Sequence, residues 1–165
     1  MNPISPERLR HAYLGWLEPD LPERAVNGTI TFKRSTNGGP ISDAAVDSAV
    51  GTFSRMLSYK AYGNDMKRKN KMLKFVAIKE GGQAVGLKHP HVHFLCEVPD
   101  GWSIDAWIEA VRLMMCKIKC FGSEHCLVEP GADAGWLNYM FKLRDKTSFA
   151  DAVHVMSLRM TSRSA

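Results

Sequence analysis

Residues 91 to 98 read HVHFLCEV, and this alternation constrains the fold more than any other stretch of the chain. Successive side chains on a β-strand point to opposite faces of the sheet. Val92, Phe94, Cys96 and Val98 then make one wholly apolar face, which has to be covered. His91, His93, Leu95 and Glu97 fall on the reverse face. The pattern predicts a sheet with helices packed on one side and the histidine side left open.

The rest of the chain supplies those helices. GTITFKR (28 to 34) is β-branched and aromatic and reads as a first strand, and STNGGP after it as a loop. Ser42 can cap a helix whose apolar positions Val46, Ala49, Val50, Phe53, Met56 and Leu57 keep helical spacing. LKFVAIKE (73 to 80) is a second strand, GGQAVGLKHP a loop, and 91 to 98 the third strand. Ser103 caps a second helix that buries Ile104, Trp107, Ile108, Val111, Met114, Met115 and Ile118, and HCLVEP (125 to 130) is a short fourth strand. The order β-α-β-β-α-β is the split βαβ pattern of ferredoxin-like α+β folds, with an antiparallel sheet. Outside it lie an N-terminal helix capped by Ser5-Pro6 and a C-terminal helix beginning near GWLNYMFKLRDK. This divides the chain into an N-terminal extension (1–24), a main domain (25–150) and a C-terminal tail (151–165).

At 165 residues, 45% apolar and 24% charged, the chain has the size and composition of one ordinary soluble domain. It has no apolar run approaching the ~20 residues that span a bilayer. MNPISPERLR lacks the layout of a secretion signal, so the expected location is the cytoplasm, with no membrane partner. Cys96, Cys116, Cys120 and Cys126 are then expected to be reduced thiols. CKIKCFGSEHC, with His125, superficially resembles a zinc site. Cys116 and Cys120 are one helical turn apart, however, rather than paired on a turn, and read as packing residues. The net charge of +5 is concentrated in KRKNKMLK (67 to 74), FKR (32 to 34) and FKLRDK (141 to 146). Such runs suit either solvated loops or a polyanion whose counterions are released on binding.

On the histidine face, the strand 73 to 80 should pair antiparallel with 91 to 98, and opposed residues share a face. If the loop sets Glu80 opposite His91, a carboxylate and two imidazoles converge at one end of the sheet. That donor set suits Mn²⁺, or Mg²⁺ where a substrate phosphate adds oxygens. The length of the loop leaves His89 as a rival to Glu80. The alternative is a pair of solvated histidines on an exposed strand.

Near the C-terminus, Tyr139 and Lys142 are three apart and share a helix face, while Leu137, Met140 and Phe141 face elsewhere. A phenol of pKa ~10 is a poor nucleophile at neutral pH. Beside a metal that draws charge from a phosphodiester it can attack phosphorus, with Lys142 holding the phosphate or the phenolate. A tyrosine on a helix is otherwise usually a core residue.

These residues together resemble the HUH endonucleases, specifically the single-tyrosine rolling-circle replication initiators (Rep proteins). HVH (91 to 93) matches the His-hydrophobic-His motif, and YMFK (139 to 142) matches Y-x-x-K, placed after the histidines as in Rep proteins. TITFKR (29 to 34) loosely matches their first-strand motif, and KEGG (79 to 82) stands where many keep a metal-binding carboxylate. The similarity covers roughly residues 25 to 150.

The resemblance implies a metal-dependent nickase and strand-joining enzyme for single-stranded DNA or an origin hairpin. His91, His93 and Glu80 would hold the ion. Tyr139 would attack and keep a 5′-phosphotyrosine link, assisted by Lys142. Lys33, Arg34, Lys67, Arg68, Lys69 and Lys71 are expected to contact DNA, and strand opening would come from a separate helicase. Three rival readings were weighed. A cupin-type metal enzyme would use Glu97 as third ligand in HVHFLCE, but cupins are all-β and this domain has two strongly periodic helices. An RNA-recognition module shares the element order, but stacks bases on aromatics where this strand carries histidines. A DNA-binding protein of the same fold that does not cut is the third.

Overall fold

The computed structural model describes residues 4–33, 40–82, 87–122, 126–131, 133–142 and 152–153, with only the backbone at 82 and 87–89. The element order is α1 (Pro6–Leu17), a 3-10 turn (Glu18–Asp20), β1 (Ala25–Thr31), α2 (Asp43–Tyr62), α3 (Asp65–Arg68), β2 (Phe75–Gly82), β3 (Leu87–Glu97), α4 (Ile104–Cys116), β4 (Leu127–Pro130) and α5 (Ala134–Met140). The result is a mixed α+β architecture around a four-stranded antiparallel sheet, in the order β2-β3-β1-β4. No described helix is long and apolar enough to cross a membrane.

The three helix starts read from the sequence are capped as expected. Ser5, Ser42 and Ser103 each accept a hydrogen bond from the backbone N–H three residues on, at Arg8, Ala45 and Ala106, which satisfies a donor the first turn otherwise leaves free. Pro follows Ser5 at the first helical position, where its missing N–H costs nothing.

The apolar face of β3 is buried against α2 and α4. Val92, Phe94, Cys96 and Val98 join Phe53 and Leu57 of α2 and Trp107 and Val111 of α4 in the larger of two cores. Its centre is aromatic. The Phe53 ring lies edge-on to Phe75, Phe94 and Phe121 at centroid distances of 5.5–6.0 Å, the tilted arrangement that aromatic quadrupoles favour.

Two boundaries differ from the sequence reading for identifiable reasons. β1 starts at Ala25 rather than Gly28, because Ala25, Val26 and Asn27 pair with Glu97, Cys96 and Leu95. Gly28 is no strand boundary. It lies opposite Phe94, and a Cβ there would come within 2.6 Å of that ring, so a glycine lets the two strands carry a large ring between them. The β2–β3 loop is also shorter than expected, since the strands run on to Gly82 and from Leu87. A register shift between Glu80 and Gly82, with Gly81 at φ +73°, absorbs the extra length as a bulge.

The larger correction concerns the histidine face, which is open only in part: Leu127 and Glu129 of β4 are exposed on it, but the rest is covered. Ala25, Val76, Ile78 and Leu95 on that face are covered by Leu14 and Leu17 of α1 and by Leu137, Met140 and Phe141 of α5, with Ala152 and Val153. The N-terminal helix therefore shares a core with the sheet. Four apolar residues on the reverse face and apolar stripes on two short helices meet because neither can be left in water.

Candidate active site

Pairing in the sheet brings three donor groups together. Glu80 on β2 stands opposite His91 on β3, and Ile78 opposite His93. On the other side of β3, Thr31 faces His91 and Thr29 faces His93. Alternation puts Glu80, His91 and His93 on one face at one end of the sheet. Glu80 Oε2 lies 3.1 Å from His91 Nε2 and 3.4 Å from His93 Nε2. Donors bound at about 2.1 Å and at right angles around one ion stand about 3 Å apart. Among the described residues, Glu80, His91 and His93 are the group of His, Cys, Asp and Glu side chains able to hold a metal ion.

The chemistry of the donors fits that use. Glu80 is only 2% exposed, and an ionised carboxylate taken out of water needs compensating positive charge. His93 Nε2 is buried and, apart from the 3.4 Å approach of Glu80 Oε2, has no hydrogen-bond partner among the described residues. The opposite ring atom, Nδ1, is 3.0 Å from Thr29 Oγ1. With Nδ1–H donating to the threonine, the Nε2 lone pair is directed at the centre, the arrangement expected of a metal-ligating imidazole with an outer partner.

α5 places the tyrosine beside this group. Asp133 caps the helix by accepting from Trp136 N at 2.8 Å. Leu137 and Met140 are buried against the sheet, which turns Tyr139 towards the histidines. The Tyr139 and His93 ring centroids are 5.3 Å apart. Tyr139 is 45% exposed, whereas His93 and Glu80 are buried, so the centre is reached from the tyrosine side.

Lys142 departs from the sequence reading. The helix ends at Met140 with Phe141 as C-cap, and Lys142 lies just beyond it. The turn nonetheless brings its Nζ 4.1 Å from the Tyr139 ring centroid and 3.4 Å from Glu80 Oε2. Burial alone would lower the pKa of this ammonium. The Tyr139 hydroxyl and the Glu80 carboxylate outweigh that and raise it, keeping the group a cation.

Sequence reasoning missed Thr29, Trp136 and Arg10. Trp136 stacks on Tyr139 at 5.3 Å and meets the His93 ring edge-on at 5.7 Å. Its place three residues before Tyr139 could have put it on the same helix face. Thr29 could be found only once the β1–β3 register was known. Arg10, on α1, hydrogen-bonds the end of α5, and nothing near it in the sequence signals that.

The basic residues divide. Lys33 follows β1 at the His91 end of the sheet and is exposed. Arg34 lies outside the described residues, as does the His89 side chain. Lys67, Arg68, Lys69 and Lys71 are exposed but belong to the other end of β3, where Glu97 N donates to Lys74 O. Six residues of strand, about 20 Å, separate that end from His91. Lys69 pairs with Asp65 at 2.9 Å, and Lys71 Nζ stands 4.4 Å from the Tyr62 ring centroid. The structure does not bring this run to the centre.

Glu97, the third ligand of the cupin reading, lies at that far end and accepts a 2.6 Å hydrogen bond from the Tyr62 hydroxyl. The four cysteines are free thiols. Cys96, Cys120 and Cys126 pack in or on the larger core, but Cys116 is exposed and is not the packing residue expected. α4 ends at Cys116, so Cys120 is not on the next helical turn.

No protein-family model, curated protein or solved structure significantly matches this chain.

Proposed function

We propose that this protein is a metal-dependent, sequence-selective enzyme that nicks and joins single-stranded DNA, with a ferredoxin-like fold and the site of a single-tyrosine HUH endonuclease. The observation that carries the reading is the Tyr139 ring packed 5.3 Å from His93, within a cluster where Glu80 Oε2 is 3.1–3.4 Å from two imidazoles and the Lys142 ammonium. A nucleophile, a cation and a divalent-metal donor set occupy one recess.

His91, His93 and Glu80 would hold Mn²⁺ or Mg²⁺, which when bound supplies positive charge to the non-bridging oxygens of the scissile phosphate. The remaining work belongs to the chain. His93 is held by Thr29 and keeps its Nε2 aimed inward. Tyr139 forms a bond from its oxygen to phosphorus as the bond to the 3′ oxygen breaks. The phenolic proton passes to solvent and the leaving 3′ oxygen takes one back from solvent, a net transfer of one proton, so a 5′-phosphotyrosine and a 3′-hydroxyl result. Lys142 stays protonated beside both groups and offsets negative charge on the phenolic oxygen and phosphate. Because the phosphodiester is conserved, the reverse step rejoins the strand.

The substrate approaches from the Tyr139 side, since α1 and α5 cover that face over β2 and β3, while Leu127 and Glu129 of β4 stay exposed on it. This also disfavours an RNA-recognition module, whose stacking platform would be taken by those helices. Of the described basic residues expected to contact DNA, Lys33 is the one at the His91 end of the sheet. Single-stranded DNA or an origin hairpin is the expected partner, and a separate helicase would open the duplex.

The test incubates the full chain with a pool of single-stranded oligonucleotides and Mn²⁺, followed by a denaturing gel. A covalent protein–DNA adduct is expected, lost with a chelator and lost in Tyr139→Phe. No adduct from any oligonucleotide, or an adduct that survives Tyr139→Phe, rejects the proposal. A non-cutting DNA-binding protein would shift the same oligonucleotides in native gels and leave no adduct.

A further inference from the structure

The tyrosine helix is short and depends on a residue far from it in the sequence. α5 has seven residues, well below the length at which an isolated helix is stable in water. Its last carbonyls have no partner within the helix. One of them, on the C-cap residue Phe141, accepts a 2.9 Å hydrogen bond from Arg10 Nε of α1. The same guanidinium donates through Nη2 to Asn138 Oδ1 at 2.9 Å. Asn138 in turn donates to Ala134 O at 2.8 Å, within its own helix. Arg10 thus holds the chain at Asn138, just before Tyr139, and at the C-cap Phe141, just before Lys142. A cation at a helix C-terminus also interacts favourably with the helix dipole.

The contact is directional where the surrounding packing is not. Tyr13, Leu14 and Leu17 of α1 supply apolar surface to Phe141, Leu137 and Met140, which would tolerate a small rotation or slide of α5. Two hydrogen bonds from one planar fork do not. We propose that Arg10, from the N-terminal helix, is a positioning residue that fixes the Tyr139–Lys142 turn against the Glu80–His91–His93 centre. It touches neither the metal donors nor the tyrosine ring. The inference rests on the proposed function for its catalytic consequence but not for its geometric content.

The experiment compares the full chain with Arg10→Ala, Arg10→Lys and Asn138→Ala. Three quantities are read: Mn²⁺ affinity by calorimetry, the single-turnover rate of adduct formation at saturating oligonucleotide, and the ¹⁹F spectrum of protein carrying 3-fluorotyrosine, with the Tyr139 line assigned by its loss in Tyr139→Phe. Expected for Arg10→Ala is an adduct rate reduced about 100-fold, the scale of a displacement of about 1 Å at a reacting group. The Tyr139 fluorine line should shift or broaden, with Mn²⁺ affinity within about twofold of the parent. Arg10→Lys, which keeps the charge but not the fork, and Asn138→Ala should each fall between. Should Arg10→Ala fail to fold, those two variants decide. An unchanged fluorine line, or Mn²⁺ affinity falling in step with the rate, overturns the inference. If the parent forms no adduct, the proposed chemistry falls, and the fluorine line alone decides whether Arg10 seats the tyrosine.

Discussion

The two faces of the sheet are built to different standards. One is covered by long helices, α2 with twenty residues and α4 with thirteen, over a continuous aromatic core. The other is covered in part by the twelve residues of α1 and the seven of α5, and carries a buried carboxylate and two imidazoles within its apolar surround. The first face is apolar packing, and the second carries the group that could hold a metal ion. Glu80 is buried beside two imidazoles and the Lys142 ammonium, a charged cluster that costs more to desolvate than a packed hydrocarbon. Even charges on the helix side serve packing: Lys79 alternates away from Glu80 and meets Asp43 and Asp47 of α2 at 3.6 Å.

That division can be broken experimentally, and the largest expected effect lies on the helix side. Phe53→Ala removes the ring at the centre of the aromatic cluster and should cost about 3–5 kcal/mol in denaturant unfolding. Mn²⁺ affinity, measured below the unfolding transition, should remain near that of the parent. A large loss of metal binding would show that the faces are not independent.

Next comes Glu80→Gln on the other face. In the parent, saturating metal at about 100 times its dissociation constant should add about 2.7 kcal/mol of stability. In Glu80→Gln that gain should vanish from thermal melts while the metal-free melt stays close to the parent's. Thr29→Val should act more mildly, weakening Mn²⁺ about 10- to 100-fold by freeing the His93 ring. Calorimetry giving parental affinity would refute the role assigned to Thr29.

The smallest effect is expected at Tyr62. Burial, then its hydrogen bond to Glu97 and that carboxylate's charge, push its pKa well above the ordinary phenol range. The folded protein therefore keeps this proton where the unfolded chain releases it. The associated stability is intact below pH ~10, the unfolded value, and declines as pH rises beyond it. Tyr62→Phe should flatten that alkaline decline in a series of melts from pH 8 to 11. Identical slopes in the two proteins would count against the assignment.

What the sequence disclosed follows the same division. The parity of Val92, Phe94, Cys96 and Val98 identified the buried face, and Ser42 and Ser103 marked both long helices, because period and caps are local signals. The pairing of Glu80 with His91 could be foreseen only as a condition on the loop. The bulge at Gly81 that satisfies it is a choice among turns the residues alone do not fix. The covering of the histidine face was not legible. Leu14, Leu17, Leu137 and Met140 announce apolar stripes but not the surface that receives them. The end of α5 before Lys142 and the remoteness of Lys67–Lys71 from the centre were hidden likewise, since each depends on which strand end a loop returns to.

The contact between Arg10 and Phe141 joins residues 131 positions apart, and this sets a timetable. The three metal donors sit on one hairpin and can meet as soon as it leaves the ribosome. The seat of the tyrosine waits for its second half, and at ordinary translation speeds that interval is on the order of ten seconds. A nascent chain would thus have its candidate metal group complete before the helix that carries Tyr139 can be seated against it.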